Sequence, residues 1–211
     1  VTCATILAQD NPIQLTIRAD KPGAKISPTM YGIFFEDINF GADGGLYAEL
    51  IKNRSFEFTL SLMGWEPVRK NGTGRIVPTF YSPANQGNQH YVTVYLNAEL
   101  GYFGLSNEGF RGIGVKKDGV YNFSANARMH EGSDLIMKVE IVDPSGAILC
   151  STGISGLEGE WKTVQASLTP DRTEPKAELR ILFTGRGAVD LDMVSLFPSD
   201  TWKGRPGGLR K

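Results

Sequence analysis

The chain has 211 residues, and its 22 Lys and Arg against 23 Asp and Glu give a net charge of −1. This balance argues against a protein that coats nucleic acid. With 41% apolar and 21% charged residues the composition is that of a globular protein, and 25 Gly with 11 Pro indicate many turns. Collagen, coiled coils and disordered chains are thereby excluded. No apolar run approaches the ~20 residues of a membrane-spanning helix, so no membrane span is expected. Because of the balanced charge, nucleic acid is not an expected partner either.

Residues 1–9 resemble the end of a secretory signal. Val1 to Ala8 carry no charge and are largely apolar, whereas the basic start of a signal is missing. An N-terminal strand is the alternative. A signal predicts export to the bacterial periplasm, the cell surface or the medium. If Cys3 belongs to the signal, Cys150 is a lone buried thiol, and neither cysteine is a candidate nucleophile.

Residues 10–52 predict two strands and a helix. Residues 14–19 alternate polar and apolar side chains, as a half-buried strand does. Residues 31–35 form a continuous apolar run, which is typical of a strand buried on both faces in a parallel sheet. Asp43 is a suitable cap for a helix over residues 44–53, whose apolar side is formed by Leu46, Leu50 and Ile51.

Residues 53–198 show the period-two alternation of β-strands. A first strand is expected at Gly64-Trp65 and a last one over residues 189–197, while residues 117–119 and 143–146 have the residue types of turns. Short strands, closely spaced turns and no helical stretch favour an antiparallel β-sandwich of the jelly-roll type. The apolar strand faces are formed by Val92, Val94 and Leu96; by Tyr121, Phe123, Ala125, Ala127 and Met129; by Leu135, Met137, Val139 and Ile141; by Val164, Ala166 and Leu168; and by Ala177, Leu179, Ile181 and Phe183.

Carboxylates are the candidate catalytic groups, because His90 and His130 are isolated in the sequence and no serine-nucleophile or zinc motif is present. Glu36 ends the apolar run, and the carboxyl ends of strands carry the active site in β/α barrels. A solvated or helix-capping carboxylate is the alternative. Asp37 points to the other side of a strand from Glu36, so the two do not form the pair ~5 Å apart that a retaining glycosidase uses. One strand cannot build a barrel site, so no catalytic residue is assigned within the chain.

Glu57 and Asp192 are candidate ligands of a structural calcium ion, and no other cofactor is expected. An acid near the first sandwich strand and one on the last can meet at a sheet edge, where calcium takes oxygen ligands from both. Asp190 and Asp192 share one face of the last strand, opposite Leu191. A pair of solvated edge carboxylates is the alternative.

Tyr91 and Tyr95 are candidate glycan-binding residues. They flank Thr93 on the side of a strand opposite its apolar face. Sugar rings stack on aromatic planes, so a row of tyrosines on a sheet is a possible platform for carbohydrate. The alternative is a second buried face or a domain interface, because sandwiches bury aromatic side chains freely.

Three segments carry a resemblance to a known family. Residues 26–39 read ISPTMYGIFFEDIN and residues 43–57 read DGGLYAELIKNRSFE, which resemble the opening of α-L-arabinofuranosidases of glycoside hydrolase family 51. Residues 191–206 begin with LDMVSLFP and end with DTWKGRP, and they resemble the segment by which those enzymes re-enter their barrel. Residues 53–65 and the last strand are similar to the ends of carbohydrate-binding modules of the family 4/9 type, which are jelly rolls.

The resemblance implies an exo-acting, retaining hydrolase that removes terminal α-L-arabinofuranosyl units from plant arabinan and arabinoxylan. Glu36 matches the glutamate that contacts the bound arabinose, with Asp37 in support. The acid/base and nucleophile glutamates of the family lie in later barrel strands, beyond Lys211. The chain on this interpretation is the N-terminal part of a secreted enzyme and is not itself catalytic.

The implied domain plan has four parts. They are a signal remnant (1–9), an N-terminal strand with the first strand and helix of an incomplete β/α barrel (10–52), a carbohydrate-binding-like jelly roll (53–198), and the start of a return to the catalytic barrel (199–211). The expected partners are a plant polysaccharide or arabino-oligosaccharide and the barrel itself. A stand-alone glycan-binding module and a purely structural docking domain are the alternatives.

Overall fold

The structure is a computed structural model that describes residues 15–21, 23–30, 32, 34, 36, 40–132 and 134–211. The chain divides into two compact units, residues 1–36 and residues 37–211. No helix among the described residues is long and apolar enough to cross a membrane.

The described residues of the first unit contain turns and neither helix nor strand. The predicted strand over residues 14–19 is wrong for residues 15–19. Leu15 and Ile17 are 84% and 81% exposed, so no burial of apolar surface stabilises a strand there. The strand predicted over residues 31–35 is absent at Gly32 and Phe34. The remaining residues of that run lie outside the described part, as do the predicted signal remnant 1–9 and Asp37.

The second unit opens with a leading segment, residues 40–58, which forms turns instead of the helix predicted over residues 44–53. Gly44 has a φ of 76°, and the chain reverses around it. Ala48 to Ile51 are then buried on all sides, whereas a helix there would leave one face in water. The amide of Leu50 donates to the carbonyl of Leu196 at 3.1 Å, so pairing with a distant strand replaces helical hydrogen bonds.

Nine strands follow the leading segment. They are β1 (Trp65–Lys70), β2 (Thr73–Thr79), β3 (Tyr91–Asn107), β4 (Ile113–Val115), β5 (Tyr121–Gly132), β6 (Ile136–Val142), β7 (Ile148–Ile154), β8 (Lys162–Leu168) and β9 (Glu174–Pro198), and a short 3-10 helix spans Trp202–Gly204. All ladders between these strands are antiparallel. The predicted antiparallel β-sandwich is therefore confirmed.

The two long strands β3 and β9 pair with each other and take part in both layers of the sandwich. One layer has the order β2, β3, β9, β5, β8 and uses the second part of β9. The other has the order β1, β3, β9, β6, β7 and uses its first part. The sequence predicts two separate strands here, but the structure joins them at Gly185 and Gly187, whose φ values of 118° and 151° suit glycine.

The hydrophobic core lies between the two layers, and it contains the predicted apolar faces. Val92 and Val94 on β3, Phe123 on β5, and Ile181 and Phe183 on β9 are at most 1% exposed. The other residues of those faces are also buried in the core or packed against it. The turns predicted at residues 117–119 and 143–146 are present.

Asn53 organises the loop that leads into β1. Its side-chain nitrogen Nδ2 donates to the carbonyls of Ser61 (2.9 Å) and Met63 (3.2 Å), and its backbone carbonyl accepts from the indole nitrogen of Trp65 (3.0 Å). Trp65 in turn packs on Phe56, with ring centroids 5.3 Å apart. The motif over residues 53–65 therefore has a structural explanation, because one asparagine connects the whole loop.

Glu49 fastens the leading segment to the end of β9. Its side chain is fully buried and accepts from the hydroxyl of Ser195 (2.6 Å), the amide of Leu196 (3.0 Å) and the amide of Ile51 (3.0 Å). Arg54 forms an ion pair with it at 3.3 Å. Burial raises the pKa of the Glu49 carboxyl, and these donors and the Arg54 charge oppose that shift.

A trailing segment, residues 199–211, returns beside the leading segment. Tyr47 bridges Leu209, the amide of Ala48 donates to Gly208 at 3.2 Å, and the amide of Arg210 donates to Leu46 at 2.8 Å. The chain therefore arrives at the sandwich and leaves it at the same place.

Candidate functional site

The outer face of the first layer carries the residues that the sequence singled out on β3. We define this outer face as the side of strands β2, β3, β9 and β5 that is turned away from the core. Tyr91, Thr93 and Tyr95 project from it, as predicted, because Val92 and Val94 between them are buried in the core. Cross-strand pairing places Asp190 beside Thr93 and Arg128 beside Asp190.

Asp190 is the centre of a hydrogen-bonded network on this face. Its fully buried carboxylate accepts from the Thr93 hydroxyl at 2.6 Å and from Nε of Arg128 at 2.7 Å. Nδ1 of His130 lies 3.3 Å from the same oxygen that Arg128 contacts. The close guanidinium compensates the buried carboxylate, and these hydrogen bonds fix the Arg128 side chain.

Aromatic rings enclose the Arg128 guanidinium. Its carbon lies 4.7 Å from the ring centroid of Trp161 and 5.7 Å from that of Tyr91, and the two rings meet edge to face at 5.3 Å. The Trp161 indole nitrogen also donates to the carbonyl of Ser82, so the loop over residues 80–90 covers this end of the face. Tyr91 is consequently only 2% exposed, and burial raises the pKa of its hydroxyl.

The other end of the outer face is open. Tyr95 is half-buried, with the Arg75 guanidinium 4.4 Å from its ring centroid and the His130 ring at 6.3 Å. Beyond Tyr95 lies a groove of about 440 Å³, lined by residues of β2, β3, β5 and β9. Of the two candidate tyrosines, Tyr95 exposes part of its ring to solvent, whereas Tyr91 is buried against Arg128 and Trp161.

Glu57 and Asp192 lie near each other, but each is occupied by nitrogen donors. Glu57 accepts from the His90 amide (2.8 Å) and contacts its ring nitrogen (2.5 Å), while Asp192 accepts from the Asn88 amide group at 3.1 and 3.2 Å. The alternative of solvated edge carboxylates is wrong for Asp192, because its side chain is fully buried. Burial and the Glu57 charge raise the pKa of Asp192 to about 6.

Calcium requires more ligands than these two carboxylates supply. It takes 6–8 oxygens, and the part of the chain that the structure describes contains no group of three or more His, Cys, Asp or Glu that could hold a metal ion. The calcium site at Glu57 and Asp192 stays a prediction.

Glu36 is exposed and belongs to the first unit, and Asp37 lies outside the described residues, so their predicted contact with arabinose stays a prediction. Cys150 is half-buried, and burial raises its pKa to about 11. A thiol that is so rarely ionised is a poor nucleophile, in agreement with the sequence-based view.

Sequence reasoning missed most of this network. His90 and His130 are isolated in the sequence, but both contact a carboxylate in the structure. Alternation along β5 could have placed Arg128 and His130 on the face opposite its apolar side chains. No local signal brings Trp161 to Arg128, because that contact depends on tertiary packing.

The fold is a β-sandwich of the kind found in carbohydrate-binding modules. The xylan-binding CBM22-1 domain from Paenibacillus barcinonensis superposes on 74% of this chain with a TM-score of 0.51, and 98% of that domain is covered. At 16% identity this likeness concerns the fold alone.

Relatives of higher identity are longer enzymes. The chain is 37% identical, over its whole length, to an extracellular exo-α-L-arabinofuranosidase of Streptomyces chartreusis, of which it covers 25%. An arabinose-bound α-L-arabinofuranosidase of glycoside hydrolase family 51 superposes on 85% of the chain with a TM-score of 0.74 and 30% identity, and 31% of that structure is covered. No family model matches the chain.

The predicted resemblance to family 51 α-L-arabinofuranosidases is thus confirmed. The chain corresponds to the N-terminal region of these enzymes and spans about a quarter to a third of their length, 25% of the Streptomyces relative and 31% of the solved structure.

Proposed function

We propose that this chain is the N-terminal, carbohydrate-binding-like region of a secreted α-L-arabinofuranosidase, and that its outer face binds arabinan or arabinoxylan. The observation that carries the proposal is the half-buried Tyr95 ring at the mouth of an open groove on that face. The extracellular Streptomyces relative supports export.

The outer face has the two kinds of group that carbohydrate binding needs. An aromatic plane accommodates the C–H face of a sugar ring, and planar polar side chains hydrogen-bond to its hydroxyls. Tyr95 supplies the plane. His130 lies beside the Tyr95 ring and is held by Asp190 through Nδ1, so its other ring nitrogen is positioned before a ligand arrives, which lowers the entropy cost of binding.

Affinity electrophoresis in gels that contain arabinan or arabinoxylan tests this binding. The wild-type chain should be retarded, and Tyr95→Ala should weaken binding about tenfold because the stacking plane is lost. Trp202→Ala is the matched control, since Trp202 is 44% exposed but lies on the trailing segment. Absence of retardation of the wild-type chain would favour a docking domain instead.

The proposal also assigns hydrolysis to the rest of the longer enzyme. The acid/base and nucleophile glutamates implied by the resemblance lie beyond Lys211, and Glu36 with Asp37 would contact arabinose only when joined to their barrel. The chain should therefore release no nitrophenol from an aryl α-L-arabinofuranoside. Turnover by the purified chain above that of a Glu36→Ala variant would contradict this assignment.

A further inference from the structure

Two guanidinium groups line the groove at the open end of the outer face. Arg75 on β2 pairs with Tyr95, and Arg186 on β9 pairs with Asn97, so both arginines project on the same side of the layer as the Tyr95 ring. Both arginines are exposed. The lining contains one carboxylate, Glu131, so positive charge is in excess there although the whole chain carries −1.

Neither guanidinium is neutralised within the described residues. Arg54, Arg128 and Arg172 form ion pairs with carboxylates, but Arg75 and Arg186 have no carboxylate oxygen within 4.0 Å among the described residues. Arg75 instead stacks on the Tyr95 ring at 4.4 Å. Stacking uses the flat face of a guanidinium and leaves its N–H edge available to an incoming anion.

A carboxylate on a sugar fits this arrangement. A guanidinium presents a planar set of donors that matches both oxygens of a carboxylate, and such charge-assisted hydrogen bonds are stronger than neutral ones. Because Arg75 covers one face of the Tyr95 ring, the sugar that carries the carboxylate, or its neighbour in the glycan, would stack on the other face. The amide of Asn97 and the carboxylate of Glu131 then remain for sugar hydroxyls.

We propose that the groove binds glycans that carry a uronic acid, with the uronate carboxylate held by Arg75 and Arg186 and a sugar ring stacked on Tyr95. This inference rests on the glycan-binding function proposed above and adds the class of ligand to it. Neutral arabinan would then be the weaker ligand, and an acidic, glucuronic-acid-substituted arabinoxylan the stronger one.

Isothermal titration calorimetry with one polysaccharide in two forms tests the inference. The chain is titrated with glucuronic-acid-substituted arabinoxylan and with the same material after its carboxyl groups have been reduced to alcohols. The acidic form should bind about tenfold more tightly, and higher salt should weaken only that form. Arg75→Gln and Arg186→Gln should each remove most of this preference. Arg111→Gln is the matched control, because Arg111 is exposed in the loop before β4 and does not line the groove.

The outcomes separate this inference from the function it rests on. Equal binding of the two forms, unchanged by Arg75→Gln, would overturn the uronate preference and leave glycan binding in place. If the acidic form, the reduced form and neutral arabinan all gave no heat of binding, both the uronate preference and the glycan-binding function would be overturned. The comparison of the two polysaccharide forms uses only the wild-type chain, so it stands even where a variant fails to fold.

Discussion

Replacing Glu49 by leucine is expected to lower the free energy of unfolding by about 3–5 kcal/mol. The Ser195 hydroxyl and the Leu196 amide would lose their buried acceptor on Glu49, and Arg54 would lose its ion-pair partner. Urea unfolding measures the difference. Glu66→Leu is the matched control, since Glu66 is exposed on β1 and should change the value by no more than about 0.5 kcal/mol. If Glu49→Leu were as mild as this control, the fastening of the leading segment to β9 would not contribute to stability.

The same position has a defined pH dependence. Burial raises the folded-state pKa of Glu49 above its ordinary 4.5, so the fold favours the protonated carboxyl. Its stabilising contribution is complete below the unfolded-state pKa and is lost as the pH rises through the folded-state pKa. Glu49→Gln cannot titrate. The stability advantage of the wild type over Glu49→Gln should therefore shrink as the pH rises, and an advantage that grows with pH would contradict the shift.

Replacing Asp190 by alanine should cost about 3 kcal/mol of stability and weaken glycan binding, because His130 loses the carboxylate that holds it beside Tyr95. Arg128 would keep its buried position between the rings of Trp161 and Tyr91 without the carboxylate that neutralises it. Thr93 would lose its acceptor as well. Urea unfolding and affinity electrophoresis on the same sample report the two effects separately.

Asp190→Asn is the variant that keeps this prediction testable if Asp190→Ala does not fold. The amide preserves the volume and one acceptor oxygen but removes the charge, so stability should fall less than with alanine. Its binding should still be weaker than that of the wild type, because the charge that holds His130 beside Tyr95 is lost. Wild-type affinity in Asp190→Asn would mean that the network supports the fold and does not position the binding groups.

The sandwich was predictable wherever strands alternate strictly. The apolar face of β5 follows from Tyr121, Phe123 and Ala125 at period two, and the structure confirms it. The strand β2 is harder to recognise because it contains Gly74 and Pro78, which oppose strand formation. Among the described strands it pairs with β3 alone, at the edge of the layer where proline is tolerated.

The helix over residues 44–53 failed for a different reason. The spacing of Leu46, Leu50 and Ile51 satisfies helical periodicity, but it says nothing of the polar residues between them. Glu49 is completely buried there, and its partners Ser195 and Leu196 lie far along the chain. Asp190 shows the same limit, because a buried charge is recognised only when the side chains that neutralise it are known.

The contact between the leading and trailing segments also determines how mechanical tension would pass through this protein. A pull on the two segments would act first on the bridge between Tyr47 and Leu209 and on the bond from Arg210 to Leu46, opening them one after another as a zipper opens. The end of β9, which continues into the trailing segment and accepts the Leu50 amide at Leu196, would carry the load only after these contacts had opened. A pulling force on these two segments would therefore break these few hydrogen bonds before it could distort the face around Tyr95.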